Sequence, residues 1–444
     1  MKRILIIGIC LCLFVGCGSV SSVPSVQTTA ATAAATTAAT TTTATTATTA
    51  ATTATTATAA ATTAASPTVK QLLTTGHVAE IYRTSYQSLF GRIQQNGFLQ
   101  ESLTGTYRGE YVRSIGALSV LAHTVGETEK AGRALRFVTD VMQAKNLSLV
   151  PFTISADGKT VKTADELDGR AQFVLGWALY IADSGDSAYF DKTYALMKRE
   201  ANAFCSDTYF YADWNLVRNR RFTHTRVRNG NDYHDAFDLL TNTFTVAALR
   251  QLAAVAAANG HEEDTALWTQ TAQKLCDGIA KNLTRTVGGK TVYLELRDFD
   301  GGKGTAENGV SWVCFAPFAA GKNGIEEETL ENTVALCRKQ LFKRAKSGGY
   351  LAMEATANGK VRNMILGKSV GWDIAAAVGE KDSAHLLATL QFLEAYHTAD
   401  LYMEKMQPTA NGYRTIDNGN AEQVIWFLWG MAQLRLSEGL PAKP

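Results

Sequence analysis

From Pro67 onward apolar residues recur at helical spacing, in two alternating patterns. Segments of the first kind carry one apolar stripe and one polar face, over about residues 69–94, 127–145, 187–204, 262–282, 326–343 and 383–401. Segments of the second kind are apolar on nearly every side, over about 110–124, 169–183, 238–258, 308–320, 366–378 and 420–436. A single stripe suits an outer helix with one wet face, whereas a helix apolar all round must be covered on both sides. Six of each in alternation predict an all-α fold, an (α/α)6 barrel with an inner ring of helices wrapped by an outer one. The repeat, on the order of sixty residues, exceeds that of open solenoids and fits closure into a toroid.

The linkers add a second regularity. Hairpin-like runs precede several inner helices: residues 149–162 turning at Asp157 and Gly158, 286–297 turning at Gly288 and Gly289, and 350–362 turning at Asn358 and Gly359. Connections at the other end, such as the turns at Gly185 and Gly260, are short. The long excursions therefore share one rim, where the inner helices begin, and function is expected there.

Polar residues gather at the same entrances. In chain order they are Arg108, Glu110 and Arg113; Asp165, Glu166, Asp168 and Arg170; Asp232, His234, Asp235 and Asp238; Glu307, Asn308 and Trp312; Lys368, Trp372 and Asp373; and Asp417, Asn420 and Glu422. Any one of them could be a helix cap or a surface charge. Their recurrence points instead to a pocket for a polyhydroxylated ring, whose hydroxyls charged groups bind and whose apolar face indoles stack on. A carbohydrate substrate is expected, with Arg108, Glu110, Arg113, Asp168, Arg170, Asp232, Trp312, Trp372, Asn420 and Glu422 as its binding residues.

Composition narrows the alternatives. A net charge of +2 gives no reason to invoke nucleic acid. The seven histidines are scattered without ligand spacing, so no metal or other cofactor is expected. At the start, Lys2 and Arg3 precede an apolar run over residues 4–15 that ends F-V-G-C. That run is shorter than the roughly 20 residues a bilayer needs, and it reads as a lipoprotein signal over residues 1–17 with Cys17 as the acylated residue. Residues 28–65 are Thr and Ala only, a composition that cannot build a core. Residues 18–66 are accordingly expected to form a disordered stalk that holds a monomeric domain, residues 67–444, away from the outer face of a bacterial membrane. Cys205, Cys276, Cys314 and Cys337 fall inside apolar patterns and read as buried thiols.

Four stretches carry a family resemblance. M-E-K-M-Q-P-T-A-N-G (residues 403–412) has a glutamate ahead of a Pro-x-x-Gly turn; G-N-A-E-Q-V-I-W-F-L-W (419–429) and L-T-N-T-F-T-V-A-A-L-R-Q-L-A (240–253) have the character of inner helices. Y-R-G-E-Y-V-R-S (107–114) is similar to a first-inner-helix motif that usually ends Arg-Asp, and here ends Arg113-Ser114. Together they resemble the six-hairpin glycosidases, a superfamily that includes glucoamylase-like, trehalase-like and rhamnosidase-like enzymes. The resemblance covers essentially all of residues 67–436 and implies glycoside hydrolysis with inversion. In that chemistry one carboxyl protonates the glycosidic oxygen while a second activates water across the ring. It implies Glu404 as the base. The acid falls among Asp232, Asp235 and Asp238, with Asp235 the first choice and Asp238 the second. A carboxyl at a helix N-terminus has its charged form favoured, so burial beside like charges would have to raise its pKa.

Two other readings stay open. Arg218, Arg220, Arg221, Arg226 and Arg228 form a basic cluster that is either a solvated hairpin face or a grip for an acidic sugar. With Tyr233 and His234 it could serve a polysaccharide lyase acting on uronates. The chain could also be a glycan-binding lipoprotein without catalysis.

Overall fold

The computed structural model describes residues 67–222, 234–299, 310–355 and 359–444. The signal, Cys17 and the Thr/Ala linker lie outside the described residues, as do Asp232, Tyr233, Arg226 and Arg228. The outer helices are α1 (Val69–Thr74) and α2 (His77–Gly91), then α4 (Thr128–Ala144), α6 (Ser187–Cys205), α8 (Glu262–Asn282), α10 (Glu327–Leu341) and α12 (Ser383–Tyr396). Between them run α3 (Val112–Val125), α5 (Leu167–Ser184), α7 (Leu239–Ala258), α9 (Ala316–Ala319), α11 (Gly367–Glu380) and α13 (Ala421–Ser437). In packing, α3 touches α5, α5 touches α7, α7 touches α9, α9 touches α11, α11 touches α13, and α13 returns to α3. The inner ring is thus closed, as the alternation of patterns requires. Helix α7, long and apolar enough to cross a membrane by length and composition alone, is mostly buried within this ring.

Two helices differ from the periodicity. The first outer segment breaks at Gly76, whose φ of +91° favours glycine. There the Glu394 carboxylate accepts hydrogen bonds from the His77 and Val78 N–H groups at 3.0 and 2.8 Å, opening α2 anew. The fourth inner helix is far shorter than residues 308–320. Pairing of Val310 and Ser311 with Ala355 and Glu354 commits the chain before Trp312 to an extended form. Only a 3-10 turn (Trp312–Phe315) and the single turn of α9 follow before Gly321 (φ +75°) ends the element.

The rim excursions are short antiparallel sheets. Glu110–Tyr111 pairs with Thr153–Ile154 and leads directly into α3; His234–Asp238 lies between Asn219–Phe222 and Leu296–Asp298 and leads into α7. Ile365–Leu366 pairs with Lys405–Thr409, itself paired with Gly412–Ile416, and leads into α11. Each inner helix entered this way has a fixed starting point, which is what a precise site requires.

Below the rim, Trp312, Trp372, Trp426 and Phe244 fill the axis, with ring centroids 5.5 Å apart for Trp312 and Trp372 and 5.4 Å apart for Trp372 and Trp426. Cys276, Cys314 and Cys337 are buried and Cys205 is partly so, all as free thiols. Inner helices meet backbone to backbone at paired glycines. A methyl placed on Gly371 would lie 2.0 Å from the Trp426 carbonyl oxygen, and one on Gly430 would lie 2.1 Å from that of Gly371. Gly116 and Gly176 bring α3 and α5 together in the same way, at 2.3 and 2.7 Å from the facing backbone. Because backbone on both sides blocks relaxation, Gly371→Ala is expected to cost about 3 kcal/mol, read as a lowered urea midpoint at unchanged slope.

Candidate active site

A cavity of about 180 Å³ opens where α3, α11 and α13 begin. Arg113 from the first turn of α3, Lys368 from that of α11, and Asn420, Glu422 and Gln423 from the mouth of α13 line one side of it. Trp312 forms part of its wall. Glu101, Tyr107 and Tyr111 come from the segment between α2 and α3, Arg362, Leu366 and Lys405 from the rim sheets, and Met353 and Glu404 from the residues just before a rim strand.

One ionic network links the helix mouths. The Arg113 guanidinium lies 3.1 Å from Glu422 Oε1, 3.3 Å from Asp168 Oδ2 and 3.4 Å from Glu166 Oε2. Burial works against its charge, but Glu422, Glu166, Asp168 and Glu101 outweigh that and hold it above the usual range. Lys368 Nζ sits 2.7 Å from Glu422 Oε1 and 4.6 Å from the Trp312 ring centre, and its backbone N–H donates to Gln423 Oε1 at 2.7 Å. Burial holds the Lys368 ammonium below its usual range, with Glu422 opposing. A cation held between a carboxylate and an indole face is a rigid, preorganised donor.

Glu404 is buried and fixed through its backbone. Its N–H donates to Ile416 O at 3.0 Å, and its carbonyl accepts from Gly367 N at 2.7 Å. Its carboxylate oxygen Oε1 accepts the Tyr107 hydroxyl at 2.8 Å and lies 2.6 Å from Lys405 Nζ. Both contacts fall on Oε1, so Oε2 is the oxygen available to a ligand. Burial and then Glu404 raise the Tyr107 pKa, so this phenol stays a donor.

Two further carboxyls have raised pKa values, Glu101 in the cavity wall and Asp238 outside that lining. Asp238 is fully buried at the start of α7, where its Oδ1 accepts the Thr241 N–H at 2.6 Å. Burial, with Asp168 nearby adding to it, pushes its carboxyl up to about 7. Burial and then Glu422 push Glu101 up to about 7 as well. Its Oε2 accepts the Ser114 hydroxyl at 2.7 Å, so the serine standing where the resemblance has an aspartate is engaged by Glu101.

Other expected residues lie elsewhere. Arg108 is exposed and lines a separate groove with Gly109 and Ile154, because the chain turns outward between Tyr107 and Glu110. Glu110 is buried behind the wall, its Oε2 accepting Leu99 N–H at 2.6 Å. Arg170 is taken up in the wall by Glu200 and by the Tyr209 hydroxyl at 2.9 Å. Trp372, one helical turn beyond Lys368, belongs to the aromatic axis below the cavity. Asp235 is half-exposed, with both carboxylate oxygens held by Arg218. Arg220 donates to Thr208 O at 3.1 Å. Sequence reasoning passed over Glu101, Arg362 and Lys405, which lie on connecting segments where no helical period marks an inward face.

A closed ring of inner helices with an acid- and amide-lined cavity at its mouth defines an (α/α)6 toroid. No protein-family model matches the sequence, and no curated protein does either. Among solved structures, a glycosidase variant superimposes with a TM-score of 0.59 at 13% identity, over 82% of this chain and 98% of its own. A bacterial glucoamylase complexed with acarbose gives 0.55 at 14% identity, over 81% of this chain and 56% of that one. A cellobiose 2-epimerase from Bacillus thermoamylovorans B4167 gives 0.54 at 15% identity, over 81% and 97%. The chain shares the fold of these proteins, an (α/α)6 toroid.

Proposed function

We propose that the chain is a glycoside hydrolase that inverts the anomeric centre, with Glu404 as general base. The observation that carries this reading is the state of Glu404, a buried cavity carboxylate with Oε1 held by Tyr107 and Lys405 and Oε2 left for a water. Asp238 is the acid, in preference to Asp235. A carboxyl raised to about 7 by burial still carries a proton near neutrality, whereas both oxygens of Asp235 are occupied by Arg218. Asp238 is buried at the start of α7 close to Asp168, which pairs with Arg113 of the cavity wall at 3.3 Å. The glycosidase and glucoamylase likenesses support the substrate class. Export and acylation at Cys17 are proposed on the sequence alone, and radiolabelled palmitate incorporation lost in Cys17→Ala would test them.

A screen of chromogenic monosaccharide glycosides, with the first-formed anomer followed by NMR, tests the reading. Release of aglycone with an inverted anomer supports it. Retention of configuration, conversion of a sugar to its 2-epimer, or an unsaturated product absorbing in the ultraviolet would replace it with another chemistry. Tyr107→Phe is expected to lower kcat/KM by about 10-fold to 100-fold, the effect of losing one hydrogen bond to a charged group, with little change in melting temperature.

A further inference from the structure

We infer that Glu101 is a substrate ligand of the cavity, holding one hydroxyl of the bound sugar; this rests on the hydrolase reading above. Glu101 is 3% exposed, yet it lines the same cavity as Glu404 and Glu422. Its two oxygens each accept one hydrogen bond, Oε2 from the Ser114 hydroxyl at 2.7 Å and Oε1 from the Glu422 N–H at 3.2 Å. A carboxyl group has further acceptor sites beyond those two, and a donor when protonated. Its charged neighbours are Glu422, Arg113, Glu110 and Arg92, and among the described residues it forms no ion pair that would consume the rest of its capacity. That spare capacity, in a residue lining the cavity, is what a ligand hydroxyl can engage.

Its position is set independently of any ligand. The Glu101 carbonyl accepts the Ala421 N–H at 2.7 Å, so main chain and side chain together close the first turn of α13. A capping role alone would explain those bonds but not the place of Glu101 in the cavity lining. The carboxyl, raised to about 7 by burial and then by Glu422, can both give and receive a hydrogen bond near neutral pH. That two-way capacity suits a hydroxyl, which also does both.

The experiment measures kcat/KM for the p-nitrophenyl glycoside that the wild type cleaves best and for each of its monodeoxy analogues, with wild type and Glu101→Gln. Glutamine can still accept the Glu422 N–H, so the variant should melt near the wild type; Glu101→Asp serves if it does not fold. The expected result is a drop of about tenfold in kcat/KM. In addition, one deoxy analogue should lose about fivefold less in the variant than in the wild type, a position-specific coupling. Equal losses at every hydroxyl in both proteins would leave Glu101 as a helix cap and overturn the inference while the hydrolase reading stands. No cleavage of any glycoside by the wild type would overturn both.

Discussion

Glu404→Gln is expected to abolish hydrolysis, lowering kcat on the order of 10² to 10⁴-fold, the contribution of a positioned general base. Glutamine fills the same space and can still accept the Tyr107 hydroxyl through its carbonyl oxygen, so the wall of the cavity keeps its shape. What disappears is the oxygen that can take a proton from water. Binding of unhydrolysed sugar, measured by calorimetry, should persist in the variant. Lys405 then faces an amide instead of a carboxylate 2.6 Å away, which predicts a modest change in affinity at most. Unchanged turnover in this variant would remove Glu404 from the mechanism.

Asp238→Asn carries the second large effect. Protonation of the leaving oxygen matters most when the aglycone is a poor leaving group, so the loss should reach on the order of 10² to 10⁴-fold with oligosaccharides. It should be far smaller with nitrophenyl glycosides, whose leaving group departs unaided. The wild type should lose activity as pH rises through about 7, where this carboxyl gives up its proton. Stability follows the same sign. A carboxyl whose folded-state pKa is raised contributes stability that is complete below the unfolded value and is lost as pH rises through the folded one. Asparagine keeps the cap on Thr241 N–H and never ionises. Asp238→Asn should therefore raise the melting temperature relative to wild type at pH 8 more than at pH 5. A larger relative stabilisation at pH 5 would place the group's pKa elsewhere.

The ring was legible in the sequence because burial on both sides demands helices without a polar face, and that demand repeats. It failed where extended pairing cut into the pattern, at Val310 and Ser311 before Trp312, and where Gly76 reopened a helix on a partner carboxylate. The site was legible to the extent that it rides on helix mouths: Arg113, Asn420 and Glu422 are in the cavity wall. Trp372 and Arg170 show the limit, since packing and not periodicity decides whether a residue one turn along an inner helix faces the mouth or the axis. Glu101 shows another, because its neighbours in α13 lie more than three hundred residues further along the chain.

The glycine crossings reach beyond stability. Arg113, Asp168, Lys368 and Glu422 stand on α3, α5, α11 and α13, and those four helices are the ones joined at Gly116 with Gly176 and at Gly371 with Gly430. Side chains between helices can repack, but touching main chains cannot slide closer, so the spacing within each pair, Arg113 with Asp168 and Lys368 with Glu422, is set like the jaws of a fixed gauge. Adaptation to a different sugar is then left to the segments around the rim, where cavity residues such as Met353 and Arg362 can be exchanged without disturbing the gauge.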